Sequence, residues 1–281
     1  MRKIGIESGA YEDRLTKYSS IAADGFEAVD YQGFVDTTTD LFSGSLADFE
    51  NKLKAERAAA EDAGLLISQS HGPWRWPVDD STPEMRAERM EKMKKSLYGT
   101  ALLGCKYMVI HPIMPYGSDM LDDTNCESFM NMNHEFFSEL IKEAEKCDVV
   151  IAFENMPMGQ LPIASPKTTA DFVRSFDSRY FKMCLDTGHG RIHGEDPGKV
   201  IRYCGDIITV LHVHDNDGIG DRHWLPYKGC IDWEDFTKSL SLLDGSVVMS
   251  LECAVPKETP EPELTAERRN LAKIALTLAG R

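Results

Sequence analysis

The chain has no apolar run approaching the roughly 20 residues that span a bilayer. Its start, MRKIGIESG, carries neither the apolar stretch nor the small-residue cleavage site of a secretory signal. These absences predict a cytoplasmic protein without a membrane span. There is no CxxC pair either: seven cysteines, an odd number, are scattered along the chain. That pattern suits reduced thiols better than a disulfide framework or a thiolate zinc site, and Cys184 and Cys253 read as small buried hydrophobes. Also missing is any Lys/Arg run. With 46 acidic against 31 basic residues and a net charge of −15, the surface repels phosphate backbones, which argues against a nucleic-acid partner and favours small-molecule chemistry. No internal repeat, low-complexity tract or linker divides the sequence.

What the chain does have is alternation. Strand-like apolar runs fall at 3–8, 26–31, 65–71, 107–112, 149–155, 181–186, 207–214 and 247–252. Helical spacing fills 14–23, 45–63, 83–103, 124–146, 166–176, 197–204, 233–243 and 263–279. Parallel neighbours need crossovers, and a helix is the usual one, so eight such pairs predict a single-domain α/β fold, a (β/α)8 TIM barrel over residues 1–281. Ser81-Thr82-Pro83-Glu84 offers a capping Ser with an acid three residues on and Pro in the first turn. In the helix that follows, Met90, Met93, Leu97 and Ala101 share a core face, and Glu88–Lys92 and Glu91–Lys95 are spaced as i,i+4 pairs. The mixed-charge run from Lys52 to Asp62 reads as a solvated helix face stopped by Gly64.

Six of the eight apolar runs end at a metal-binding residue type: His71, His111, Glu154, Asp186, His212 and Glu252. In a parallel barrel the C-terminal strand tips converge on one mouth, so ligand types repeated there imply a metal-centred site. Glu154, Asp186, His212 and Glu252 come from the last four strands. Their carboxylates and one imidazole suit Mn²⁺, Mg²⁺, Co²⁺ or Zn²⁺ and leave positions open for substrate oxygens. His189, Asp221 and His223 form a second pocket of ligand type, and His71 and His111 can join Glu154 in a third. His214, two residues from His212, points to the same side of the strand; His212 is the preferred ligand, with His214 supporting it or touching substrate. His134 and His193 are left to surface or packing. Trp74, Arg75 and Trp76, and Trp224 after His223, sit in long loops at strand tips and offer flat apolar surfaces and a charge to a sugar. Lys228 reads as surface charge or an anion contact, and Gly218-Ile219-Gly220 is too weak a motif to imply a nucleotide cofactor.

The ordered motifs SQSH, VIHP, FEN, CLDTGHG, LHVHDNDG, DRH followed by GCIDW, and SLE resemble the xylose-isomerase-like TIM-barrel superfamily, which includes sugar and sugar-phosphate isomerases and epimerases and the endonuclease IV-type repair enzymes. The resemblance covers nearly the whole chain. Barrels of this type often associate through helices, which leaves a homo-oligomer open, and two activities compete under the resemblance. All nine positions that hold the trinuclear zinc cluster of endonuclease IV have a ligand-type counterpart: His71, His111, Glu154, Asp186, His189, His212, Asp221, His223 and Glu252. This favours a metallo-phosphodiesterase. The acidic surface and the absence of basic groove-probing loops favour a small sugar instead. Ketose 3-epimerases carry an acid six residues after the fifth-strand Glu and an Arg six after the seventh-strand His, where this chain has Gln160 and Gly218, so their substrate does not transfer. The preferred reading is a metal-dependent isomerase or epimerase of a sugar-like hydroxycarbonyl compound. Glu154 and Glu252 would exchange the proton, through an enediolate whose charge the metal stabilises. A sugar-binding barrel without turnover is a third possibility.

Overall fold

Each of the eight apolar runs is a parallel strand in the structure, a computed structural model that describes residues 1–12, 14–74, 80–117, 121–253, 255 and 259–281. The strands are β1 (Ile4–Glu7), β2 (Ala28–Tyr31), β3 (Leu66–His71), β4 (Tyr107–Ile110), β5 (Val150–Glu154), β6 (Phe181–Asp186), β7 (Ile208–His212) and β8 (Met249–Leu251). They run in the order β7-β6-β5-β4-β3-β2-β1-β8. The two ends of the sheet meet through the parallel bridge Val213↔Leu251, with Val213 N donating to Ser250 O at 2.9 Å and Glu252 N to Val213 O at 3.1 Å. The expected single-domain (β/α)8 barrel is thereby present, nearly closed.

Helices fill the crossovers: α1 (Lys17–Ala23), α2 (Asp40–Ser43), α3 (Leu46–Asp62), α4 (Pro83–Leu102), α5 (Cys126–Cys147), α6 (Pro166–Arg174), α7 (Thr187–Ile192), α8 (Pro197–Cys204), α9 (Trp233–Ser239) and α10 (Glu263–Leu278). Two of these, α2 and α7, escaped the periodicity analysis because four and six residues are too few to display a 3.6-residue repeat. The first helix starts at Lys17, three residues later than expected. Thr82, not Ser81, caps α4: its hydroxyl accepts from Met85 N at 3.2 Å, placing Pro83 at the first helical position where it loses no bond. Met90, Met93 and Leu97 are buried as expected. The Glu88–Lys92 pair forms at 2.6 Å, whereas Glu91 pairs with Lys94, and Lys95 turns inward to the Phe42 carbonyl and the face of Phe49. Gly64 adopts φ +73°, the left-handed stop expected after α3. Among the described residues no helix is long and apolar enough to cross a membrane.

The strand period of two decides what faces the lumen. Val109, Ala152, Cys184 and Val210 pack together as a small cluster separate from the main core, in which larger apolar side chains such as Phe153, Phe181 and Leu185 are buried. Two residues further along those strands stand His111, Glu154, Asp186 and His212, on the same side and one layer higher. Small side chains therefore floor the barrel, and the polar tips lie above them.

Candidate metal centre and active site

Glu154, Asp186, His212 and Glu252 offer ligand atoms that all lie within 4.8 Å of one another. Glu154, Asp186 and His212 are almost wholly inaccessible. The Nδ1 atom of His212 is 3.1 Å from Glu154 Oε1 and 3.0 Å from Glu252 Oε2, and Glu252 Oε2 is buried without a hydrogen bond of good geometry. Electron-rich atoms held that close repel unless a positive charge sits among them. In the metal-free protein the charge is a proton: burial disfavours the His212 imidazolium, but Cys184 sulfur and the Glu252 and Glu154 carboxylates outweigh it and raise its pKa well above the ordinary value. Burial opposes ionisation of Glu154, and His212 and His111 overcome it, holding that carboxyl well below its usual range. Three carboxylates and an imidazole nitrogen around one point are a donor set that fits a divalent cation in place of that proton.

Beside this group lies a second, formed by His189, His214, Asp221 and His223. Asp186 joins the two: its Oδ1 caps α7 by accepting from His189 N at 2.6 Å, and its Oδ2 is 2.9 Å from His214 Nε2. His189 Nδ1 donates to the Asn155 carbonyl at 2.8 Å and His223 Nδ1 to the Glu252 carbonyl at 2.8 Å. Those backbone acceptors turn both Nε2 atoms toward Asp221 Oδ2, at 3.3 and 3.2 Å. Burial works against protonation of His189, yet Asp186 and Asp221 raise it to about 10; burial likewise opposes His223, which the Asp221 hydrogen bond and Glu252 raise to about 11. His214 was expected to support a ligand, and it does contact Asp186. It also belongs to this second group, stacked on the His223 ring with centroids 4.2 Å apart.

A third group is His71, Glu154 and His212. His111 adjoins it, its Nε2 2.8 Å from Glu154 Oε2, and burial pushes the His111 pKa down to about 4. The Trp74 ring meets His111 edge-on at 4.3 Å, so this tryptophan walls the site. Trp224 is partly exposed on the rim, and Lys228 is exposed. Arg75 and Trp76 lie outside the described residues. His134 stacks on Phe176, and His193 donates to the Met156 carbonyl, both away from the ligand groups.

Two acids at the mouth went unread in the sequence. The first strand ends at Glu7 rather than at the following serine, and in β2 the inward residue is Asp30, not the terminal Tyr31; the Cα atoms of Glu7 and Asp30 are register partners. All eight strand tips thus carry a metal-binding residue type, where six were counted. Glu7 is pushed up to about 7 by burial and by the like charges of Glu252 and Asp30. The signal available was a charged residue within an otherwise apolar run, as in AVDY. Asp215, also unread, is fully buried and accepts from Gly229 N, Ile231 N and Trp233 Nε1, pinning the loop that presents Asp221 and His223.

Close packing behind the ligands leads to one expected result. A Cβ at Gly188 would stand 2.0 Å from His214 Cε1, so Gly188→Ala must displace the ring that holds Asp186. We expect the variant to lose about 1–3 kcal/mol of stability, the usual cost of overpacking. An unchanged urea midpoint would show that the His214 ring moves freely.

The model of the xylose isomerase-like TIM barrel family matches residues 18–274. D-psicose 3-epimerase from Enterocloster bolteae is 31% identical over 200 residues, 69% of this chain and 64% of that protein. The chain spans 53% to 64% of the length of that epimerase and two other curated relatives it matches. Among solved structures, 3-keto-D-glucoside 4-epimerase from E. coli superposes with a TM-score of 0.78 at 18% identity, over 99% of this chain and 100% of that one. The IOLI protein with a bound zinc atom gives 0.75 at 17% identity, over 99% and 98%. At such identities the two structures speak to the fold alone. The family match takes in β2 to β8, seven of the eight strands whose tips build the mouth, and leads to one conclusion: the chain belongs to the xylose isomerase-like TIM barrel family.

Proposed function

We propose that the protein is a divalent-metal-dependent isomerase or epimerase of a small polyhydroxylated carbonyl compound. One observation carries the reading: Glu154 and Glu252, from β5 and β8, approach the same ring nitrogen of His212 at 3.1 and 3.0 Å. A divalent cation held by Glu154, Asp186, His212 and Glu252 would polarise a carbonyl and its neighbouring hydroxyl. Imidazoles outweigh burial and keep both glutamates ionised, so either can act as a base at neutral pH. One carboxylate takes the proton from the carbon beside the carbonyl as the bonding pair moves onto the carbonyl oxygen. The acid so formed can return its proton to the neighbouring carbon, which isomerises the substrate; delivery to the opposite face, which epimerises it, requires that the other glutamate has first taken a proton from solvent. His189 and His214 reach substrate hydroxyls in this reading, and Trp74 and Trp224 offer apolar faces to sugar C–H groups. A relative 31% identical and named as a D-psicose 3-epimerase supports the substrate class.

The test is incubation of ketoses and aldoses with the metal-loaded protein in D₂O. Deuterium is expected at a carbon adjacent to the carbonyl, and no exchange into any sugar would sink the proposal. A second reading, a trinuclear metallo-phosphodiesterase, is favoured by the three ligand groups joined through Glu154 and Asp186. Elemental analysis separates the two: three zinc ions per chain with cleavage of abasic DNA and no sugar exchange would establish it.

A further inference from the structure

Asp30 is 1% exposed at the end of β2, and its carboxylate meets His212 across the barrel, 182 residues away in sequence. Asp30 Oδ2 lies 3.1 Å from His212 Nε2 and accepts from Gln69 Nε2 at 3.1 Å, and Gln69 is itself buried. Oδ1 of Asp30 has no hydrogen-bond partner among the described residues. Both ring nitrogens face carboxylates, which can only accept, so the protonated ring donates from Nε2 to Asp30 and from Nδ1 to Glu154. A cation entering between Glu154 Oε1 and Glu252 Oε2 would replace the Nδ1 proton, and the proton that Asp30 keeps on Nε2 leaves the Nδ1 lone pair facing that gap. Were the remaining proton on Nδ1 instead, it would point at Glu154 and close the site to a cation.

We infer that Asp30, held by Gln69, is a positioning residue that selects the His212 tautomer competent to bind a metal ion. The inference rests on the metal centre proposed above. Orientation of a ligand histidine by a carboxylate also raises the basicity of its free nitrogen, and removing such a partner typically weakens metal binding about 10–100-fold. Asp30 adds a negative charge beside Glu7, which its Cα faces across β1 and β2.

A positioning role and a merely structural one separate when affinity is compared with fold. Co²⁺ affinity is measured by calorimetry on wild type, Asp30→Asn and Gln69→Met, and each metal-free protein is melted. Asp30→Asn keeps the shape and removes the charge: we expect Co²⁺ binding roughly 10–100-fold weaker, with the circular dichroism of the metal-free protein unchanged. Gln69→Met leaves every charge in place and should weaken binding less than Asp30→Asn while still exceeding threefold. Asp30→Asn binding within threefold of wild type would overturn the inference, as would loss of affinity in both variants only in proportion to lost fold. A wild-type protein that binds no Co²⁺ would overturn the metal centre itself and this role with it.

Discussion

Glu154→Gln lowers turnover by about 10³- to 10⁴-fold while the protein remains folded; this is the expected result with the largest effect. Glu154 touches more of the site than any other side chain: His212 Nδ1 at 3.1 Å, His111 Nε2 at 2.8 Å, and His71 and His189 at 3.7 Å. Replacing its carboxylate by an amide removes a proton acceptor and one negative ligand in a single step, and a general base alone contributes typically 10²–10⁴-fold. The fold should survive because the amide is the same size and His111, neutral at pH 7, can still donate to its oxygen. Deuterium exchange into substrate and circular dichroism measure the two halves. Activity within tenfold of wild type would remove Glu154 from the chemistry.

Stripping divalent cations with a chelator is expected to abolish turnover and to lower the melting temperature, both restored by adding the ion back. A cation present at 100 times its dissociation constant stabilises the folded state by about 2.7 kcal/mol, which corresponds to roughly 5–10 °C for a domain of this size. The pH dependence has a definite sign. With folded-state values of about 10 and 11, His189 and His223 are protonated at neutral pH in the metal-free protein, and each must lose that proton to coordinate. Raising the pH removes the competitor, so affinity at the second ligand group increases from pH 6 to 9 and protons are released on binding. Calorimetry in buffers of different ionisation enthalpy reads the release. Affinity independent of pH over that range would show that these histidines do not coordinate.

Much of this is legible in the sequence alone. Buried parallel strands have a composition of their own, so VVIAFEN and FKMCLD announce both a strand and the residue at its tip. The family motifs reinforced the reading and placed His71, His111, His189, Asp221 and His223 at the same mouth. What could not be read depended on single-residue register. Ending the first strand one residue late hid Glu7, and treating Tyr31 as the second tip hid Asp30. The double membership of His214 was equally hidden, since it depends on the turn into α7 that brings Asp186 and His189 together. Side-chain pairing on α4 shows the same limit: Glu91 had two lysines in reach, and the choice of Lys94 followed only once Lys95 found Phe42 and Phe49.

Every other pair of neighbouring strands shares a ladder of at least two registered residues, but β7 and β8 meet in the single bridge at Val213 and Leu251. His212 and Glu252 stand on either side of that join. An ion gripped by both would act like a rivet through the weakest stave joint of the cask, so occupancy of the centre and the roundness of the wall become one property. The amides of Val213 and Glu252 that complete the ring would then exchange with solvent fastest when the rivet is out.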